Sequence, residues 1–199
     1  AFIEGPTSNL KKNPSLTHKF SQFPNLSQLR NHFFQSAFYL CRTMLEGDIK
    51  YSDAEKQLRY DLAYLKMAFV WSNLSKCQRK KVGALIVKDG MIISDGYNGC
   101  PSGFPNACED EKGDTHWYVL HAEANALTKL AKSSNSAKEG TLYITLSPCR
   151  ECSKLILQAG VKRVVYVRKY KDTSGLDFLL QTDIEVVHIP DALEQLAEN

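Results

Sequence analysis

Between residues 82 and 189 the sequence alternates between strand-like and helix-like segments, and this alternation limits the fold more than any other feature. Two strand patterns, at 82–88 and 91–97, are joined by Asp89-Gly90, a pair typical of tight β-hairpin turns. After a long loop the predicted order is helix, strand, helix, strand, weaker helix, strand and last helix, at 121–132, 141–146, 149–159, 163–168, 174–180, 184–189 and 192–197. The alternation predicts an α/β fold in which a mixed five-stranded sheet is sandwiched between helices.

Two further helices are predicted before the hairpin. Residues 27–46 place apolar side chains at helical spacing, following a loop-like tail rich in Pro, Ser, Asn and Lys. Ser52 and Glu55 form a capping-box pattern that opens a second helix, running to about residue 73. We therefore expect an N-terminal extension, residues 1–50, and a main domain, residues 51–199. The expected inner face of the second helix consists of Leu58, Leu62, Leu65 and Phe69.

Composition limits the partners of the chain. Its formal net charge of +3 is far from the basic excess of a dedicated nucleic-acid binder, which makes nucleic acid a less favoured partner than a small anion. No segment is long and apolar enough to span a bilayer, and the first residues lack the features of a signal peptide. We therefore expect a cytoplasmic protein whose six cysteines are free thiols or metal ligands rather than disulfides.

Two short motifs carry the chemistry, and each begins a predicted helix. The first is His121-Ala122-Glu123, and the second is Pro-Cys-Arg-Glu-Cys at 148–152. Cys149 and Cys152 are three residues apart and therefore share one face of a helix. A lone Cys-x-x-Cys can also be half of a structural zinc site or a redox pair, and a lone His-x-Glu is usually a surface feature. Their occurrence together, each at a helix start with a strand between them, indicates one site.

One imidazole and two thiolates are a suitable ligand set for a catalytic zinc ion. Zn²⁺ prefers tetrahedral nitrogen and sulfur ligands, and catalytic sites leave one position to water, whose pKa falls to about 7. His121, Cys149 and Cys152 supply three such ligands, and the N-termini of two helices favour the negative charge of the thiolates. Glu123 is not needed as a ligand and is therefore the expected proton acceptor beside that water.

From about residue 58 to residue 189 the chain resembles the deoxycytidylate (dCMP) deaminase family within the cytidine deaminase superfamily. The paired zinc motifs are shared across that superfamily. The segments 79–84, 118–126 and 147–152 support the resemblance, and the loop Gly-Tyr-Asn-Gly-Cys-Pro-Ser-Gly at 96–103 points to dCMP deaminases. The resemblance implies a cytidine deaminase-like fold and hydrolytic deamination of dCMP to dUMP and ammonia, which would supply dUMP for thymidylate synthesis.

The resemblance also implies roles for residues around the zinc motifs. Asn98 would contact the sugar of the nucleotide, and the segment 75–81, which begins at Ser75, would lie near its 5′-phosphate. Arg79 and Lys80 belong to a basic cluster suited to a phosphate, although a solvated basic turn has the same pattern. Tyr118 would stack on or border the base, or else belong to the core. The remaining candidate substrate contacts are Ala122 and Ser147.

Regulation, assembly and further metals are implied only by the resemblance. Family members commonly assemble as hexamers, and many are activated by dCTP and inhibited by dTTP. The expected ligands are therefore dCMP, one catalytic Zn²⁺ and the effectors dCTP and dTTP, with Mg²⁺ as a candidate ion bound with an effector. The expected protein partners are further copies of the chain. Some relatives hold a second, structural zinc, but irregular spacing favours buried or free thiols over such a site at Cys77, Cys100, Cys108 and His116.

Two alternatives remain open from the sequence. Another deaminase of the superfamily, acting on cytidine, guanine, a tRNA adenosine or cytosine in single-stranded DNA, would carry the same zinc motifs. A polynucleotide substrate requires a basic, aromatic-lined groove, for which the net charge of +3 gives little support. A zinc-stabilised binding module without turnover would normally use four protein ligands and would leave Glu123 without a role.

Overall fold

Helices pack on both faces of one sheet in residues 51–192, the part of the chain that the computed structural model describes. The helix predicted at 27–46, and all but the first residue of that predicted at 192–197, lie outside these residues. No helix within residues 51–192 is long and apolar enough to cross a membrane. In chain order the elements are α1 (Asp53–Ser72), β1 (Gly83–Lys88), β2 (Met91–Tyr97), α2 (Ala122–Leu130), β3 (Thr141–Leu146), α3 (Arg150–Gln158), β4 (Arg163–Arg168), α4 (Ser174–Leu179) and β5 (Glu185–His188).

The sheet is mixed and has five strands, in the order β2-β1-β3-β4-β5. β1 pairs antiparallel with both β2 and β3, whereas β3, β4 and β5 run parallel to one another. The parallel strands are connected through α3 and α4, as β-α-β alternation requires. The predicted α/β fold is therefore confirmed.

A two-residue turn joins β1 to β2. Asp89 and Gly90 have φ angles of 51° and 75°, and positive φ at both central positions matches the right-handed twist of the flanking strands. Glycine adopts this conformation without steric cost. The Asp-Gly pair thus sets the register in which Lys88 faces Met91, and an irregularity between Ile86 and Val87 then shifts the pairing by one residue, so that Gly83 faces Tyr97.

The start of α1 is as predicted, but its buried face is only partly so: Leu65 is buried and Leu62 packs against the core, whereas the other two predicted residues are exposed. Ser52 caps the helix through its hydroxyl, which accepts a hydrogen bond from the Glu55 backbone nitrogen, and the Glu55 carboxylate accepts one from the Ser52 nitrogen. Leu58 and Phe69, predicted to face inward, are 43% and 37% exposed. The helix is rotated because partners on the sheet draw a polar side chain inward. Its buried residues are Asp61, Leu65, Ala68 and Ser72.

Each face of the sheet has its own core. On one face, α1 packs through Leu65 and Ala68 against alternate residues of β1, β3 and β4. On the other face, α2, α3 and α4 cover the intervening residues, including Ile86 and Ile144. Since β3 and β4 are parallel, the segments that follow them leave the sheet at the same edge. Both predicted zinc motifs lie on the face covered by α2 and α3.

Candidate active site

Two helix N-termini converge on the site, and a candidate ligand occupies the N-cap of each. His121 is the N-cap of α2 and Cys149 is the N-cap of α3, both with extended backbone conformation and neither with a side-chain capping bond. Their ring and thiol are therefore free to face each other rather than the backbone N–H groups that N-cap side chains usually bind. Both helices direct partial positive charge towards the cluster, which favours thiolate ligands.

Glycine at position 96 sets the distance between β2 and α2. A Cβ atom there would lie 2.7 Å from the backbone nitrogen of Ala126, so no larger residue lets strand and helix approach this closely. The Ser94 hydroxyl, on the same strand, donates a hydrogen bond of 2.7 Å to the Ala126 carbonyl. Backbone pairing of Gly99 with Leu120 then fixes the residue that immediately precedes His121.

The three predicted ligands come together. His121 Nδ1 lies 3.4 Å from Cys149 Sγ and 3.5 Å from Cys152 Sγ, and all three ligand atoms are within 4.8 Å of one another. Tetrahedral zinc ligands at Zn–N of about 2.0 Å and Zn–S of about 2.3 Å are separated by about 3.5 Å. The spacing and the donor chemistry therefore fit zinc.

Glu123 lies beside this cluster and is buried. Its residue is 3% exposed, and burial raises the pKa of its carboxyl group to about 7, against the opposing influence of its own backbone N–H and of His121. A carboxyl group with a pKa near neutrality is suited to accept and return a proton. The sequence predicted that Glu123 lies near the ligands, and the structure shows the burial that raises the pKa of its carboxyl group.

The pKa values of the two thiols are shifted in opposite directions. A hydrogen bond from Cys152, followed by one from His121, lowers the pKa of Cys149 to about 3, although burial opposes the shift. The hydrogen bond to Cys149, burial and the nearby Glu123 together raise the pKa of Cys152. The hydrogen bond to Cys149 likewise raises the pKa of His121. These shifts favour the thiolate form of Cys149, and a cation binding at the cluster would displace any proton held by Cys152 or His121.

A cleft of about 860 Å³, including its solvent-open part, leads to this cluster. Its lining contains five of the seven predicted substrate contacts: Arg79, Lys80, Asn98, Ala122 and Ser147. Thus the basic segment before β1 and the metal ligands border the same space.

Asn98 anchors the part of the cleft wall between the basic segment before β1 and the candidate metal ligands, and Ser75 supports Asn98 without lining the cleft. The Asn98 side chain accepts a hydrogen bond of 2.8 Å from the Val82 backbone nitrogen and donates one of 2.8 Å to the Lys80 carbonyl. Ser75 is 1% exposed, and its hydroxyl donates to the Asn98 carbonyl at 2.7 Å. Ser75 therefore supports the loop and does not line the cleft.

Tyr118 also lies outside the lining of the cleft. Its ring packs against Phe104 and His116, with centroid distances of 5.1 and 4.9 Å. Trp117 contacts it edge-on at 5.8 Å and is 93% exposed. These rings form an aromatic cluster next to Val119, which does line the cleft.

Sequence reasoning missed two lining residues that follow β4, Tyr170 and Lys171. The Tyr170 backbone nitrogen donates a hydrogen bond of 2.8 Å to the hydroxyl of Ser147, which follows β3. Lys80 lies over the Tyr170 ring, with Nζ 5.0 Å from the centroid. The predicted parallel order of β3 and β4 could have identified these two residues, because segments that follow neighbouring parallel strands meet at one edge of the sheet.

The expectation about cysteines is wrong for one pair. Cys77 and Cys108 form a disulfide, with their Cα atoms 5.0 Å apart, while Cys100 is free. The pairing arises because the loop after β2 folds back over the segment before β1, which linear spacing does not reveal. Within residues 51–192, the ligands already described are the sole group of three or more His, Cys, Asp or Glu side chains placed to hold one ion.

Comparisons with known proteins agree with this geometry. Residues 58–168 match the family described as the cytidine and deoxycytidylate deaminase zinc-binding region. Deoxycytidylate deaminase of Enterobacteria phage T4 is 35% identical over 169 residues, covering 63% of this chain and 88% of its own. The mouse enzyme is 37% identical over 140 residues, covering 64% of this chain and 75% of its own. The crystal structure of dCMP deaminase from cyanophage S-TIM5 in complex with dCMP and dUMP is 48% identical, with a TM-score of 0.64, covering 70% of this chain and 100% of its own.

Proposed function

The chain belongs to the cytidine and deoxycytidylate deaminase family, and on that premise we propose that it hydrolyses dCMP to dUMP and ammonia. The observation that carries the proposal is the placement of Glu123 beside the His121, Cys149 and Cys152 ligand atoms, in a cleft that basic side chains also line. The relatives named as deoxycytidylate deaminases, and the S-TIM5 enzyme bound to dCMP and dUMP, support the choice of base and nucleotide.

We assign the metal to the three ligand side chains. His121, Cys149 and Cys152 would hold zinc through Nδ1 and two Sγ atoms, the set whose mutual distances fit a tetrahedral ion. When bound, zinc supplies a Lewis acid that makes water a nucleophile near neutral pH. Neither Glu123 nor any fourth side chain is required as a ligand, which leaves the carboxylate available for proton transfer.

Glu123 carries the protons of the reaction. Its carboxylate accepts a proton from the attacking water as oxygen bonds to C4 of the cytosine ring, and it donates that proton to N3. It then transfers the second proton of the water to the exocyclic nitrogen as the C4–N bond breaks, so that ammonia leaves and a uracil ring remains. The buried position and near-neutral pKa of Glu123 suit both directions of transfer.

The rest of the cleft would hold the nucleotide. We propose that Asn98 contacts the sugar and that Arg79 and Lys80 bind the 5′-phosphate. Ala122 and Ser147 would border the base, since both line the cleft next to the ligands. Ser75 would act through the Asn98 loop, and Tyr118 through its aromatic cluster.

The decisive experiment is a substrate panel. Zinc-loaded protein is given dCMP, CMP, deoxycytidine, guanine and a short single-stranded DNA, and ammonia release is measured for each. We expect dCMP to be the preferred substrate and deoxycytidine to lose most of the activity, because it lacks the phosphate. Equal activity on deoxycytidine would contradict the dCMP assignment, and no ammonia from any substrate would favour a binding module.

Further parts of the proposal rest on the family alone. We propose that the product supplies thymidylate synthesis in the cytoplasm, that the chain assembles as a homo-hexamer, and that dCTP activates and dTTP inhibits it. We also propose that residues 51–199 form the catalytic domain and residues 1–50 an extension. Repeating the panel with each effector tests the regulation, and repeating it with a chain that begins at residue 51 tests the domain boundary.

A further inference from the structure

Two consecutive backbone N–H groups in the basic segment before β1 point at one carboxylate. The nitrogen of Gln78 lies 3.1 Å from both carboxylate oxygens of Glu109, and the nitrogen of Arg79 lies 3.1 Å from Oε1. Successive N–H groups that converge in this way form a cradle for anions, often for phosphates. Here the anion that fills the cradle is part of the protein.

The cradle belongs to the substrate cleft. Glu109 lines that cleft together with three cationic side chains, those of Arg79, Lys80 and Lys171. The charges of this wall suit an anion larger than one carboxylate. The metal ligands border the same cleft, so a nucleotide with its base at the ligands would extend its phosphate towards this basic wall.

Neighbouring contacts keep Glu109 in place. The disulfide between Cys77 and Cys108 connects the residue before Gln78 to the residue before Glu109. Backbone pairing of Glu109 with Thr115 closes the other side of the loop. The Arg79 guanidinium lies 3.5 Å from the Thr115 hydroxyl, so the basic segment and the loop are joined at two places.

We infer that the Glu109 carboxylate competes with the 5′-phosphate of the substrate for the Gln78–Arg79 cradle, and so weakens nucleotide binding. This inference rests on the proposed function, because it assumes a phosphate-bearing substrate. A phosphate dianion and a carboxylate cannot share two N–H donors, since their like charges repel at hydrogen-bond distance. Binding of the nucleotide therefore requires the Glu109 carboxylate to leave the cradle, and the free energy of breaking its hydrogen bonds lowers the affinity for the nucleotide.

The test removes the charge of Glu109 and keeps its shape. In Glu109→Gln the amide oxygen can still accept from Gln78 and Arg79, but this neutral bond is weaker than the charged one. We expect KM for dCMP to fall at least about threefold and kcat to stay within about twofold. The inhibition constant of inorganic phosphate should fall by a similar factor, while kcat/KM for deoxycytidine should not change.

Glu111→Gln is the matched control, because it removes the same charge from an exposed position two residues along the same loop. It should behave as the wild type if the effect depends on the cradle rather than on net charge. An unchanged or raised KM for dCMP in Glu109→Gln, with unchanged phosphate inhibition, would show that Glu109 only anchors the loop. An equal change with dCMP and deoxycytidine would also overturn the inference.

Calorimetric titration of the zinc-loaded variants with inorganic phosphate separates this inference from the proposed function. Tighter phosphate binding to Glu109→Gln than to Glu111→Gln would support the competition even if dCMP were not a substrate. Turnover of dCMP without that difference would support the proposed function and refute the competition. If Glu109→Gln does not fold, the ¹³C shift of the Glu109 carboxyl in wild-type protein decides: it should move when phosphate is added, and no movement at saturation would refute the inference.

Discussion

The carboxylate of Asp61 on α1 accepts two hydrogen bonds from the guanidinium of Arg163 on β4, at 2.7 and 2.8 Å. The two side chains are 3% and 14% exposed. The hydroxyl of Tyr143 on β3 donates to the same carboxylate at 2.8 Å, and Gln57 donates at 2.9 Å. These donors compensate a buried charge and dock α1 on the face of the sheet opposite the candidate active site.

Asp61→Asn should therefore destabilise the protein. The substitution leaves the Arg163 guanidinium buried with Glu185, which is 62% exposed, as its remaining acidic partner. Loss of one member of a buried pair costs about 3 kcal/mol in unfolding free energy. Urea unfolding followed by circular dichroism measures the change. Glu151→Gln serves as the control, since Glu151 is 79% exposed and should change stability by less than about 0.5 kcal/mol.

Glu123→Gln should abolish most of the deaminase activity without loss of zinc. An amide cannot accept the proton of the attacking water, so kcat should fall by about a thousandfold. Bound zinc, measured by atomic absorption, should stay near the wild-type value because Glu123 is not one of the proposed ligands. Glu151→Gln carries the same chemical change within the Cys149–Cys152 segment and should retain activity. Near-wild-type turnover in Glu123→Gln would exclude the proposed proton shuttle.

Zinc affinity should fall as the pH is lowered. The raised pKa values of Cys152 and His121 favour the protonated forms of both side chains, and zinc must displace those protons in order to bind. Above the pKa of His121 only the Cys152 proton is displaced, and affinity should change about tenfold per pH unit; below it both are displaced, and the change should approach about a hundredfold. Competition with a chelator from about pH 6 to about pH 9 measures the slope. A constant affinity over this range would mean that the ligands are already deprotonated.

The sequence was sufficient to predict the elements and the convergence of the three candidate metal ligands, because both depend on local patterns. β2, β3 and β4 have the predicted bounds, and His121, Cys149 and Cys152 meet because each motif begins a helix on the same face of the sheet. Such features are set by hydrophobic periodicity and by spacing within a few residues.

The features that the sequence did not reveal depend on distant partners. The inward rotation of α1 follows from Asp61, whose partner Arg163 is 102 positions away. The Cys77–Cys108 disulfide and the Glu109 contact arise from a loop that folds back by 31 residues. Local periodicity cannot report a polar residue that is buried by a long-range partner. For that reason the basic part of the cleft was less predictable than the part that contains the candidate metal ligands.

Lys171→Met should weaken binding of dCMP and leave the chemical step unchanged. Lys171 lines the cleft beside Tyr170, whose backbone is held by the Ser147 hydroxyl, and Arg79 and Lys80 line the same cleft. Methionine keeps the length of the side chain and removes the charge. Because a charge-assisted bond to a phosphate is lost, KM for dCMP should rise about tenfold, while kcat stays within about twofold.

Deoxycytidine distinguishes a phosphate contact from a general disturbance of the cleft, because its kcat/KM should be the same in Lys171→Met and in the wild type. Lys169→Met is the matched control: Lys169 is an exposed lysine two residues earlier and is not part of the cleft lining. If both variants raise KM equally, the effect comes from the overall positive field rather than from a contact at Lys171. If neither variant raises KM for dCMP, the phosphate is bound without the segment that follows β4, and the contribution of Lys171 to the nucleotide site is refuted.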